Sequence, residues 1–192
     1  MTVGALEPVD LPETALIIGD HWPQPDETAY AREAATQRSC AHAMCAAADH
    51  THTAASYTHP EFRGEAGSAL GAVLVDRHRA HTDDETRHTN IAGWLELGSI
   101  NIVEAKNAMN TTTTDYHRAY ADSERCAAEE TWTQQQLAGV KTALVQLAQA
   151  RIREIRAAFD ASHATIAAGI AAATVPSAPE QMKVYGPLSP VT

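Results

Sequence analysis

Leu144, Ala148, Ile152, Ile155, Phe159, Ser162, Ile166 and Ile170 follow one another at intervals of 4, 4, 3, 4, 3, 4 and 4 residues. This is the helical period, and it draws one stripe down one face of a helix about 40 Å long at 1.5 Å per residue. Counted back to Thr131, the element extends further. A chain committed to such a helix must find another helical face to cover it. Composition points the same way. The hydrophobic fraction is 44%, but aromatic residues make up only 5% and Phe occurs twice. Ala supplies much of the remainder, which suits closely approaching helices better than a thick sandwich or barrel.

The rest of the chain divides around its prolines. In residues 1–24, Asp10-Leu11-Pro12-Glu13-Thr14 predicts a short helix with Asp10 as N-cap and Pro12 in the first turn. After Trp22-Pro23-Gln24-Pro25, the acidic pair Asp26 and Glu27 opens a first long helix, where the positive end of the helix dipole favours carboxylates. Thr28 to Tyr57 contains neither Pro nor Gly, and Tyr30, Ala34, Ala41, Met44 or Cys45, and Ala48 recur near helical spacing. His59-Pro60 ends that helix, and Phe62-Arg63-Gly64 reads as a turn.

Glu65 opens a second helix through Leu70, Val73 and Leu74 into Ile91, Trp94, Ile102, Val103 and Met109. Gly93 and Gly98 each cost about 1 kcal/mol relative to Ala, which marks a bend. Thr111 to Thr114 marks a weak point or restart. Residues 174–192 carry Pro176, Pro179, Pro187 and Pro190 and read as a Pro-rich tail or linker. The expected fold is all-α: an elongated antiparallel hairpin or bundle of three to four long helices spanning residues 25–173.

A formal net charge of −10, from 24 acidic and 14 basic residues, argues against nucleic-acid binding. Arg151, Arg153 and Arg156 are interrupted by Glu154 and read as a solvated helix face. No stretch is long and apolar enough for an integral membrane span, and Met1 to Asp20 lacks the charged and apolar regions of a secretory signal. Export of such a chain would be independent of the Sec route. The three cysteines cannot all pair with one another. Cys40 and Cys45 point to different faces of one helix, so small buried thiols are expected at Cys40, Cys45 and Cys126.

Ten histidines invite a metal reading. His50, His52 and His59 cluster near one helix end, and His78 and His81 share a face. Glu85-Thr86-Arg87-His88 has the Glu-x-x-His spacing of di-iron bundles, but it occurs once where such a site needs two copies and further glutamates. Zinc spacings of Cys and His are missing too. No metal, cofactor or catalytic residue is assigned, since neither a nucleophile elbow nor a phosphate loop is present.

Three features exceed what a plain bundle needs. They are the opening Trp22, Asp26 and Glu27, the turn Phe62-Arg63-Gly64, and Tyr120-Ala121-Asp122-Ser123-Glu124. An aromatic can plug a hairpin end while Gly supplies a backbone conformation closed to other residues. Tyr and Glu four apart share a helix face as a recognition patch, a spacing echoed by Tyr57 and Glu61.

From about Trp22 to Cys126, these residues resemble the N-terminal helical domain of mycobacterial type VII (ESX) secretion substrates, the WxG/PPE and Esp-type group. The family's turn is Trp-x-Gly, and Phe62 stands at the Trp position. Its export signal includes Tyr-x-x-x-Asp/Glu, matched by Tyr120 and Glu124. The resemblance implies a non-enzymatic protein that is exported folded and is secreted or held in the cell envelope after a cytoplasmic stage. The partners it implies are a secretion chaperone or the secretion ATPase, with another helical substrate as a further candidate. In the family, turn and Tyr motif come together in space, which here requires the second helix to fold back near Gly98 or Thr111. Two other readings of the same residues stand beside it. One is a cytoplasmic helical scaffold or coiled-coil partner whose Leu144–Ile170 stripe is an interface. The other is a His-rich metal-binding bundle.

Overall fold

The structure, a computed structural model, describes residues 5–58, 64–179 and 183–188. It is all-α: a short helix α1 (Thr14–Ile18) followed by a 3₁₀ turn at Gly19–His21, then the long helices α2 (Glu27–Thr58), α3 (Glu65–Glu129) and α4 (Gln134–Ala172). Among the described residues there is no strand. No described helix is long and apolar enough to cross a membrane.

The start of α1 departs from expectation. Thr14 N–H donates to Leu11 O, so Pro12 and Glu13 form a β-turn, with Glu13 at φ 58°. Pro suits the first inner position of such a turn, and the helix therefore starts at Thr14 with no cap from Asp10. At α2 the acidic opening divides its labour. Asp26 Oδ1 accepts from Thr28 N–H at 2.8 Å and from its hydroxyl at 2.7 Å, satisfying an orphan donor of the first turn. Gly64 sits at φ 95° immediately before α3, and its carbonyl accepts the first helical hydrogen bond, from Ser68 N–H. Side chains with a Cβ rarely adopt that conformation, which accounts for Gly at the turn. Phe62 lies outside the described residues, as do His59, Pro60 and Glu61.

The restart expected in α3 at Thr111–Thr114 does not occur. The helix runs uninterrupted through Gly93, Gly98 and Thr111–Thr114. The threonine hydroxyls turn inward on their own helix. Thr112, Thr113 and Thr114 donate to the carbonyls of Ala108, Met109 and Asn110, so they compete with no backbone bond. Thr112 and Thr113 are buried.

The chain divides into two compact units. The first comprises residues 1–28, 98–165 and 179–192. In it, the second half of α3 packs antiparallel on α4, as Asn101 Nδ2 donating to Phe159 O and Arg151 facing Asp115 show. On α3 the buried face is Ile102, Ala105, Met109, Tyr116, Ala119 and Ala127; on α4 it is Leu144, Ala148, Ile152, Ile155 and Phe159. The stripe read from the sequence is thus this chain's own core over that length and is not free for a second chain. The α3–α4 turn places Thr131 at φ 53°, with Trp132 N–H reaching back to Ala127 O, a Schellman-type closure. Thr133 and Gln136 then exchange backbone and side-chain hydrogen bonds as a capping box that starts α4 at Gln134.

In the same unit residues 5–24 lie along α3 and α4, held by side chains that reach their backbone. Asn110 takes Val9 N–H and donates to Glu7 O, His117 meets Pro12 O, Gln149 donates to Leu16 O, and Arg156 donates to His21 O. An irregular segment has no ladder to satisfy its polar groups, and these side chains supply one. Ile17 and Ile18 are its buried apolar anchors.

The second unit comprises residues 29–97 and 166–178. Here α2 runs antiparallel to the first half of α3. His78 Nδ1 lies 3.1 Å from Ala48 O, His88 Nδ1 2.7 Å from Gln37 Oε1, and Arg38 pairs with Glu96. The α2 face is a seam of Ala34, Ala41 and Ala48, seven residues apart and buried. Trp94 is the large anchor. Its indole lies so close on Gly169 that a Cβ there would stand 2.2 Å from Cε2, and its N–H donates to Thr174 O at 2.8 Å. Gly93 is explained in the same way: a Cβ would meet the Pro176 ring at 2.6 Å. The glycine read as a bend is a close-packing position.

Candidate recognition site

All the described sequence-flagged residues except Tyr57 and Gly64 fall in the first unit, in two groups. The first surrounds the opening of α2. Glu27 Oε2 accepts from Lys106 Nζ at 2.7 Å, with both side chains almost wholly buried, while Leu6 N–H also donates to the carboxylate. Ser99 donates to Glu27 O at 3.0 Å, and Lys106 Nζ lies 5.8 Å from the centre of the Trp22 ring. Burial alone would push the Glu27 carboxyl up. The hydrogen bonds from Lys106 and Leu6, with the lysine charge, outweigh it and hold the carboxyl below its usual range. Of the opening residues Trp22, Asp26 and Glu27, Glu27 is a buried structural charge, Asp26 caps the helix and Trp22 is half-buried beside Lys106.

The second group is on the closing turns of α3. Tyr116 and Tyr120, one turn apart, stack with ring centroids 6.2 Å apart and planes 2° from parallel. Lys141 of α4 places Nζ 5.1 Å from the Tyr120 ring centre and pairs with Glu13 Oε1 at 2.6 Å. Tyr120 is half-buried, and the exposed Glu124 carboxylate follows one turn on. Partial burial first, and then the Glu124 carboxylate, raise the Tyr120 phenol above its ordinary value. Tyr116 is raised by burial and then by Glu13, and its hydroxyl has no hydrogen-bond partner among the described residues. Both phenols therefore stay protonated at neutral pH. Tyr116 is core, buried beneath the stack, and Tyr120 with Glu124 forms one polar and aromatic patch.

Gly64 has the backbone conformation a turn requires, but α3 holds no break at Gly98 or Thr111. Tyr57 is largely exposed near the end of α2, and its expected companion Glu61 lies outside the described residues.

The histidines make local structural contacts. His52 and His78 set their rings 5.6 Å apart, and His78 and His88 face α2 as described above. Among the described residues no three His, Cys, Asp or Glu side chains converge as metal ligands. Of the thiols, Cys40 and Cys45 are half-buried, but Cys126 is exposed, against the expectation of three buried thiols. The Glu85 carboxylate beside Cys45 pushes that thiol up.

Sequence reasoning missed Lys106, Glu13 and Lys141. Lys106 could have been found, because it sits within the apolar face marked by Ile102 and Met109, where an unpartnered ammonium would be costly. Glu13 and Lys141 are 128 residues apart and carry no local pattern. No protein-family model, curated protein or solved structure matches this chain.

Proposed function

We propose that this chain is a non-enzymatic substrate of a type VII secretion system, or the export domain of one, recognised by a secretion chaperone or the secretion ATPase. The observation that carries the reading is the Tyr120–Glu124 pair: one helical turn apart on α3, and presented with exposed Asp122 and Arg125 near its end. A partner can read such a pair as one aromatic and one anionic contact with little ordering cost, since the helix already fixes both. The test uses Tyr120→Phe with Glu124→Gln, which keeps the Tyr116 stack and the helix. Expressed in a host with a working type VII system, the double variant is expected to fall at least about tenfold in culture filtrate, the scale of losing one good charged contact. Its melting temperature should stay that of the parent. Undiminished export would overturn the reading.

One observation favours a second reading, a helical partner protein retained in the cytoplasm. In the second unit Tyr57, Leu70 and Val73 are exposed large apolar side chains, and Leu70 and Val73 share a helix face. Cell fractionation separates the two readings, because only the first places the protein in envelope or medium.

A further inference from the structure

In the first unit, α3, α4 and residues 183–185 enclose a groove of about 480 Å³. That lies within the usual range for small-molecule sites. Its walls include Asn107, Ala108, Thr111, Arg151 and Tyr185, with Glu104 exposed at the rim.

Arg151 is the anomaly. Its side chain is only 11% exposed, yet the guanidinium makes no hydrogen bond among the described residues. Asp115 Oδ2 stands at 3.6 Å, near enough for attraction but beyond hydrogen-bonding range. Asp115 is itself engaged by Arg118 at 3.2 Å. Tyr185 covers the guanidinium with its ring centre 5.0 Å from Cζ, and the Tyr hydroxyl is turned to Glu154 at 3.1 Å. A guanidinium carries five donors and cannot shed its charge. None of the Arg151 nitrogens is both sealed from solvent and unpartnered, so the donors that Asp115 does not meet open on the groove, where water or a ligand accepts from them.

The rest of the groove says what. Ala108, the Tyr185 ring and the threonine methyls present apolar surface beside the cation. Lys183 also lines the groove, but its ammonium faces Glu154 at 3.7 Å, so with Asp115 behind Arg151 and Glu104 at the rim the charges leave room for one negative charge and oppose a second. We infer that this groove binds a small organic monocarboxylate, its carboxylate taken by the Arg151 guanidinium and its apolar body lying between α3 and Tyr185. An arginine fork matches a carboxylate in two parallel hydrogen bonds, which a lysine cannot reproduce. No residue of this site belongs to the Tyr120–Glu124 pair, so it stands or falls apart from the export reading.

The probes are hexanoate, 1-hexanol and inorganic phosphate, titrated up to about 10 mM into the full-length protein labelled for NMR, which covers the weak end of small-ligand binding. Hexanoate is expected to shift the amides around Thr111, Arg151 and Tyr185 saturably, and to bind at least about tenfold tighter than hexanol or phosphate. Thr111→Trp fills the groove from an exposed helix position and should abolish the shifts without changing the melting temperature. Arg151→Lys keeps the charge opposite Asp115 and should weaken hexanoate about tenfold through loss of the fork. No hexanoate binding, equal binding of hexanol, equal or tighter binding of phosphate, or unchanged binding in a folded Thr111→Trp protein would each overturn the assignment.

Discussion

The two units bury different kinds of surface. The first holds most of the large core side chains and, among the described residues, all the buried polar or charged ones: Glu27, Asn101, Lys106, Thr112, Thr113, Asp115 and Ser123. The second is sealed by Ala34, Ala41 and Ala48 on α2 and depends on Trp94, Leu95 and Ile166 for bulk, with Leu70, Val73 and Val75 left exposed. Apolar burial stabilises by about 25 cal/mol per Å², so an alanine seam contributes little per residue and works by letting backbones come close. Stability is therefore spread over many contacts in the first unit and concentrated on a few in the second.

The largest effect should come from striking that concentration. Trp94→Ala removes the second unit's main anchor, empties the space over Gly169 and strands the Thr174 carbonyl. A loss of about 3–5 kcal/mol is expected, the usual range for Trp-to-Ala changes in a core. Native-state hydrogen exchange should quicken across residues 29–97 and 166–178, while amides on α4 from Leu144 to Phe159 keep their protection. Uniform loss of protection throughout the chain would show that the contrast between the units has no energetic content.

In the first unit the corresponding blow is electrostatic. Lys106→Met leaves the Glu27 carboxylate buried without its cation, a change that costs about 3 kcal/mol or more in comparable sites. The double variant Glu27→Leu with Lys106→Met should recover most of this, because the buried pair contributes far less net than either charge alone costs. The parent should also be acid-sensitive at this site. The Glu27 pKa is lower in the folded chain than in the unfolded one, so its stabilisation is complete above the unfolded carboxylate value and drains away as pH falls through the folded value. Chemical denaturation at descending pH should show this slope in the parent and a shallower one in the double variant. Equal slopes would remove Glu27 from the acid response.

The contrast also explains what could be read in the sequence. Helix identity and the α4 face were legible because Leu144 to Ile166 repeats at helical spacing and that face is buried. The continuity of α3 was not, because Gly93 and Thr111–Thr114 carry breaker signals that tertiary contact reverses. Gly93 answers to Pro176, 83 residues away, and the threonines answer to carbonyls of their own helix. Propensity is a weak prior wherever packing decides. Of the candidate recognition residues, the Tyr120–Glu124 pair was visible as a four-residue spacing. The roles of Trp22 and Glu27 were not, since their partner Lys106 is 79 residues from Glu27 and only the fold brings it there.

The smallest expected effects compare the units at matched positions. Thr131 in the first unit and Ala173 in the second both close a helix in the left-handed conformation, at φ 53° and φ 49°, and each is followed by a residue whose N–H reaches back five positions to a carbonyl. Glycine adopts this conformation without the penalty of about 1–2 kcal/mol that a Cβ incurs, although it gives back some of the gain through a freer unfolded chain. Thr131→Gly and Ala173→Gly should each stabilise by about 0.5–1 kcal/mol. If the second unit opens before the first, Ala173→Gly should slow exchange only within residues 29–97 and 166–178, whereas Thr131→Gly should raise the global melting temperature. The same global rise from both variants would mean that the chain unfolds as one cooperative body, and the division into a dispersed and a concentrated core would then describe packing alone.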